Sequence, residues 1–374
     1  MRHGLLLCAI VGALVLQSCA PPPRQAPVSL SSANSDNLAA VIADVQNVET
    51  RARDGDFSSV RALPHNIEVL TRAIEGGSIQ GDALLMLRYY RGVARQTLNR
   101  INDIIGLPVD RQVAEAALAD FLAVAEASGD DPAKSGIKSN AIYGAGQVAA
   151  TQLGEKERGY GYFRECARMK QAGCQNVMAG ALVTGRDGVA QDLNAALNLH
   201  NEVYETGTTY TCAGSFSAYS IAHIVHFTDA RLDHRTGLDW IRRATGLADQ
   251  VKSRANGVDV CGSAGYSVDE YLMRRQAGQR DDGILARLQG DDGAVQPFAV
   301  DYLLGKSSDS TFTAELRKLE SPSSRCIYAF LGAWKASIDG NAAAVRNYRS
   351  MLGEAPRDEY TCATRLIYSE RLVR

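Results

Sequence analysis

Residues 178–207 read MAGALVTGRDGVAQDLNAALNLHNEVYETG, and the reading of this stretch decides the fold. Small and apolar residues, Met178, Ala181 and Leu182, lead into a glycine turn at Gly185 and Gly188. After Val189, Asp192 opens a second segment in which Ala196, Leu199 and Val203 recur at spacings of three and four. That spacing lines apolar side chains along one face of a helix. The stretch therefore predicts a helix, a tight turn and a second helix. Gly207 closes it, where a residue without a side chain suits the position past a helix end.

The same grammar runs outward in both directions. Upstream, Ser35 and Asp36 can cap a helix to about residue 53, with Leu38, Val41, Ile42, Val45 and Val48 on one face. Asp54-Gly55-Asp56 breaks it, and a second helix through Ile67, Leu70 and Ala73 ends at Gly76-Gly77. Helices follow over about 82–101, 116–128, 140–152 and 156–170, with Pro108 excluding continuous helix between the first two of these. Downstream, the pattern predicts helices over 213–228 and 236–251, and then less regular ones to the end of the chain. The Gly- and Asp-rich stretch 278–310 reads as a joint. Runs of β-branched and aromatic residues bounded by turns are scarce, so the expectation is an all-α chain.

The opening stretch resembles a Sel1-like repeat, a relative of the tetratricopeptide repeat. Gly188, Val189, Asp192, Ala196 and Gly207 fall in step with the family pattern, and Leu199 takes the place of its Trp. Gly185 stands one residue too far out, and Ala195 and Glu202 replace Lys. The segment LRYYRGVARQTL, with Tyr90, Gly92 and Ala94, resembles the first helix of a tetratricopeptide repeat, and Trp240, Arg243 and Ala244 sit like the family's second-helix pattern. The resemblance implies an α-solenoid, in which pairs stack because none can bury its apolar face alone. On this reading, residues 36–278 are repeats and 279–374 a C-terminal set of helical repeats. Such repeats bind other macromolecules.

The front end belongs to targeting rather than to the fold. Arg2 and His3 precede an apolar run over 4–16, which is the composition of a signal peptide and too short to span a bilayer. It ends Leu16-Gln17-Ser18-Cys19, which resembles the bacterial lipobox and makes Cys19 the lipidated N-terminus after removal of 1–18. Ala20 in place of Asp points to the outer membrane. Residues 19–35 are rich in Pro and Ser and predict a tether that cannot bury apolar area.

Of the eight Cys, Cys8 leaves with the signal and Cys19 takes lipid, leaving six. An even number in an exported chain points to disulfides. Cys166 and Cys174 flank so short a turn, with Gly173 ending the first helix, that they come within bonding reach; cysteine-containing Sel1-like proteins use a similar spacing. The other four most simply pair between successive repeats, Cys212 with Cys261 and Cys326 with Cys362.

Candidate chemistry is sparse. His223 and His226 share a helix face, but a metal needs three or four converging ligands. Ser135-x-x-Lys138 matches the nucleophile motif of penicillin-binding enzymes without its companion motifs. Asp281-Asp282 and Asp291-Asp292 lack the alternating spacing of a calcium loop. No cofactor is implied. The formal charge of −2 gives no electrostatic reason to expect nucleic acid.

The sequence thus leads to a lipid-anchored scaffold facing the periplasm, which binds protein partners in envelope assembly or export. An enzyme acting on peptidoglycan or a β-lactam is the alternative. In repeat stacks the first helix of each pair lines the groove. Tyr90, Arg91, Tyr143, Gln147, Tyr219 and His223, all in such helices, are therefore expected to present exposed side chains to the partner.

Overall fold

A computed structural model describes residues 35–53, 58–104, 107–206, 212–228, 234–254, 261–288, 295–354 and 360–373. Residues 1–34, which include the segment read as a signal, Cys19 and the expected tether, lie outside the described residues, as do Gly207 and Asp291-Asp292. Among the described residues there are seventeen α-helices and no strand. No helix among them is long and apolar enough to cross a membrane. The chain forms two compact units that part between Met178 and Ala179.

The first unit contains α1 (Ser35–Arg53), α2 (Leu63–Glu75), α3 (Gly81–Ile104), α4 (Arg111–Ser128), α5 (Ser135–Gln147), α6 (Lys156–Arg168) and the start of α7 (Ala172–Thr184). From α1 to α6, successive helices pack on one another. The stripe Leu38, Val41, Val45 and Val48 of α1 is buried. Helix α4 begins five residues before its predicted start because Asp110 caps it, its carboxylate accepting from the backbone N–H of Gln112 and Val113. Asn99 on α3 holds Asp110 in turn, donating to its carbonyl at 2.8 Å and accepting from its N–H at 3.0 Å. Small residues let these helices close up. A Cβ on Gly92 of α3 would stand 3.0 Å from the Phe121 ring, and one on Gly144 of α5 2.7 Å from it, so the ring fills the space between both helices.

Helix α5 also begins early, at Ser135, and runs into a π-helical turn, Val148–Gln152. Gly159 of α6 lies against that turn, where a Cβ would meet Gly146 O at 2.8 Å and Ala150 Cβ at 2.6 Å. The decisive stretch folds as expected: α7 stops at Thr184, and Gly185, Asp187 and Gly188 take left-handed backbone with φ of 65°, 56° and 76°. Asp192 then caps α8 (Leu193–Thr206) by accepting from the Ala195 N–H at 2.9 Å.

The second unit continues with α9 (Cys212–Thr228), α10 (His234–Arg254), α11 (Ser263–Gln276), α12 (Asp282–Leu288), α13 (Pro297–Leu303), α14 (Asp309–Lys318), α15 (Pro322–Ile338), α16 (Ala342–Gly353) and α17 (Tyr360–Ser369). The joint expected over 278–310 holds the short helices α12 and α13. Helices α9 and α15 are buried on most sides; Ile221–Val225 and Tyr328–Ala336 are continuously enclosed. In a linear stack each pair touches only its neighbours. Here α17 packs back on α9 as well as on α15 and α16, so this unit closes on itself.

Three cysteine pairs stand at disulfide distance. Cα–Cα separations are 5.8 Å for Cys166–Cys174 and 5.2 Å for both Cys212–Cys261 and Cys326–Cys362. One detail differs from the sequence reading. Gly173 does not end α6 but is buried in the first turn of α7. The helix is ended instead at Lys170, which takes φ 62°, and Gln171 caps α7 by accepting from the Cys174 N–H at 2.7 Å.

Candidate functional site

The most concentrated chemistry in the second unit is a buried group of four side chains on three helices. Helix α9 is built almost wholly of small and apolar residues, and Tyr219 and His223 are polar exceptions one turn apart on it. Asp269 comes from α11 and Arg365 from α17. Asp269 Oδ2 accepts from the Tyr219 hydroxyl at 2.8 Å and lies 2.8 Å from His223 Nε2. Arg365 Nη1 stands 3.1 Å from His223 Nδ1, and its Nη2 donates to the Tyr219 oxygen. His223 and Asp269 are 1% and 2% exposed, while Tyr219 and Arg365 are half-buried.

Hydrogen-bond polarity fixes the ring's protonation. A guanidinium is a donor only and an ionised carboxylate an acceptor only. Nδ1 therefore carries the lone pair that receives Arg365, and Nε2 carries the hydrogen given to Asp269. Burial pushes the His223 pKa below its ordinary value, Asp269 opposes that, and Arg365 adds to it. Burial alone would raise Asp269, but His223 and Arg365 hold its carboxyl below the usual range. Burial would likewise lower Arg365, yet Tyr219 and Asp269 raise it. Tyr219 is pushed well up, chiefly by burial. The group thus holds one negative and one positive charge around a neutral ring.

An aromatic shell encloses the four. Tyr266 stacks on Tyr219 at 4.6 Å, while Phe227, Tyr368, Trp334 and Phe330 lie 5.5, 5.4, 6.1 and 6.4 Å from His223. An Asp–His pair orients an imidazole for proton transfer when a hydroxyl or thiol lies on its second nitrogen. Here that nitrogen faces a guanidinium. As built, the arrangement ties three helices together.

The first unit has a parallel arrangement around Asp120 of α4. Arg91 Nε and Nη2 engage its two oxygens at 2.9 and 2.6 Å, and Arg95 Nη1 joins at 2.6 Å. Beside it, Gln96 donates to Gln147 at 2.9 Å, and Gln147 donates to the Tyr143 hydroxyl at 2.7 Å.

These placements correct the expected partner surface. Tyr90, Tyr143, Gln147 and His223 are 3%, 4%, 9% and 1% exposed, while Arg91 and Tyr219 are engaged in the two polar groups. The reason is that α3, α5 and α9 are each covered by helices on more than one side, so residues read as groove-facing point inward. Asp120, Asp269 and Arg365 were missed. A charged residue inside an apolar run, as in LADFL or SVDEYLM, was the available signal for the two Asp. Arg365 had none.

Other sequence candidates fall apart locally. His226 Nε2 is 2.9 Å from Gln276 Oε1, away from the ligands of His223. Lys138 donates to the Gly129 carbonyl at 2.6 Å, on the α4 end rather than on Ser135. Among the described residues, no three or more His, Cys, Asp or Glu converge as a metal would require. No family model matches this chain, and neither any curated protein nor any solved structure does.

Proposed function

We propose that this chain is a lipid-anchored helical scaffold of the bacterial outer membrane, facing the periplasm, whose tetratricopeptide/Sel1-like pairs bind protein partners in envelope assembly or export. Cys19 carries the lipid, the Pro/Ser-rich tether gives reach, and the folded body supplies the binding surface. The observation that carries this reading is the use of cysteine. Leu16-Gln17-Ser18 precedes Cys19, and the six cysteines after it all come together as pairs. That pattern suits a chain exported to an oxidising compartment. Stable anchoring takes two acyl chains, since one alone binds marginally. With Tyr90, Tyr143, Gln147 and His223 buried and Arg91 and Tyr219 engaged in polar groups, the partner surface is assigned to the exposed faces of the paired helices.

The test is fractionation and crosslinking of the full chain in a Gram-negative host. The wild type should sediment with outer membranes after a salt wash, and Cys19→Ser should move to the soluble periplasmic fraction. Crosslinked anchored protein should then yield a reproducible envelope-protein partner. Retention of Cys19→Ser on membranes would remove the anchor, and crosslinks no different from those of an unrelated lipoprotein would remove the scaffold role.

A further inference from the structure

We propose that α17 is an acid-released latch: protonation of His223 at Nδ1 ejects the Arg365 guanidinium and frees the C-terminal part of the helix, while Cys326–Cys362 keeps its first turn attached. Geometry carries the argument. His223 lies between a group that only accepts and a group that only donates, so its ring has a single compatible protonation state. One more proton sets N–H against N–H across 3.1 Å and leaves a net positive charge in an enclosed site.

The groups facing the ring can be named element by element. Helix α11 supplies Asp269, and α17 supplies Arg365 and Tyr368. Its own helix, α9, adds Tyr219 and Phe227, and α15 adds the uncharged Phe330 and Trp334. The other titratable groups on the neighbouring helices have partners of their own: His226 of α9 lies 2.9 Å from Gln276 Oε1, His200 of α8 sits against Phe216, and Arg242 of α10 pairs with Glu270. Asp269 is thus the group that favours the extra proton, against burial and Arg365, and the balance places the titration below the ordinary histidine range.

Loss of the Arg365 contact falls on a segment that is also held by the buried side chains of Tyr368, Ser369 and Leu372. Beyond Arg365, polar links to the rest of this unit include Ser337 to the Leu372 carbonyl at 2.9 Å and Arg371 to the Thr228 carbonyl at 3.4 Å. At the other end, Cys362 in the first turn is held covalently. The motion is therefore a hinge about Cys362 rather than release of the segment.

Hydrogen exchange of the full oxidised chain between pH 7.5 and 4.5, corrected for intrinsic rates, tests this. Protection of α17 should fall about tenfold per pH unit as pH drops from the ordinary histidine value of the opened ring toward the lower His223 midpoint of the closed one, as one proton per opening requires, with α1 as the internal reference. The midpoint is read independently from the imidazole resonance. His223→Gln should abolish the pH response. Arg365→Gln should move the imidazole midpoint upward, because no guanidinium then opposes the proton. Protection of α17 that stays level across that whole window would overturn the latch, as would an unchanged response in His223→Gln. Should that variant not fold, the wild-type response across that window and the Arg365→Gln shift decide, and failure of either overturns it. Membrane release of Cys19→Ser reads the anchor separately, so the two ideas fail independently.

Discussion

Asp120 shows what one buried carboxylate does in a helix of Ala and Leu. It is 4% exposed and receives three charge-assisted hydrogen bonds from Arg91 and Arg95, so it ties α4 to α3 through two guanidinium groups at once. Removing it leaves two partly buried cations facing each other without a counter-charge. Asp120→Ala should therefore cost about 2–3 kcal/mol, and Asp120→Asn less, because the amide oxygen still accepts. Urea denaturation followed by circular dichroism measures this, and a loss below about 1 kcal/mol for the Ala variant would show the pair to be ornamental. At this scale, residue type was legible but direction was not. Arg91 reads equally well as groove-lining or inward-facing, because it follows the buried Tyr90 directly and a long guanidinium side chain can lie along an apolar face or turn away from it. Its partner twenty-nine positions away settles the matter.

Helix existence was more legible than helix boundaries: Gly76-Gly77 ends α2 as read, whereas α4 and α5 each begin about five residues before their expected starts. Gly76-Gly77, Gly154 and Gly340 all stand where chain reversal needs them, and Asp110, Ser308 and Ser321 each cap the helix that follows. Cysteine pairing was legible for a related reason: each Cys lies at or near a helix end, where two chains can approach. What was not legible is the return of α17 to α9, because His223 and Arg365 are 142 positions apart with no periodicity linking them. The three disulfides close loops of very different length, with sequence separations of 8, 49 and 36. Loop-closure entropy then ranks them. Replacing Cys212 and Cys261 by Ser should cost about 4 kcal/mol, Cys326 and Cys362 a little less, and Cys166 and Cys174 about 2.5 kcal/mol. Equal losses for the three double variants in chemical denaturation would mean that the bonds act through native packing instead.

Each compact unit has its own hydrophobic core, and their buried histidines predict different responses to acid. His200 and His223 are buried in the second unit, whereas His65 of the first is exposed. Burial lowers the His200 pKa from 6.5 to about 3. The sign follows from proton counting: below pH 6.5 the unfolded chain binds a proton that the folded chain refuses, so stability rises with pH across that window. The contribution is complete above the unfolded value and is lost as pH falls toward the folded one, at about 1.4 kcal/mol per pH unit. By pH 5 His200 alone should have cost the second unit about 2 kcal/mol, and the direction of the His223 shift adds to it. Both tryptophans, Trp240 and Trp334, lie in the second unit, so intrinsic fluorescence follows its unfolding while circular dichroism sees the whole chain. Between pH 7.5 and 5 the fluorescence midpoint in urea should fall further than the dichroism midpoint. His200→Gln should remove much of that difference. Midpoints that move together, or a His200→Gln variant as acid-sensitive as the parent, would mean that acid acts through the carboxylates of both units and not through these two rings.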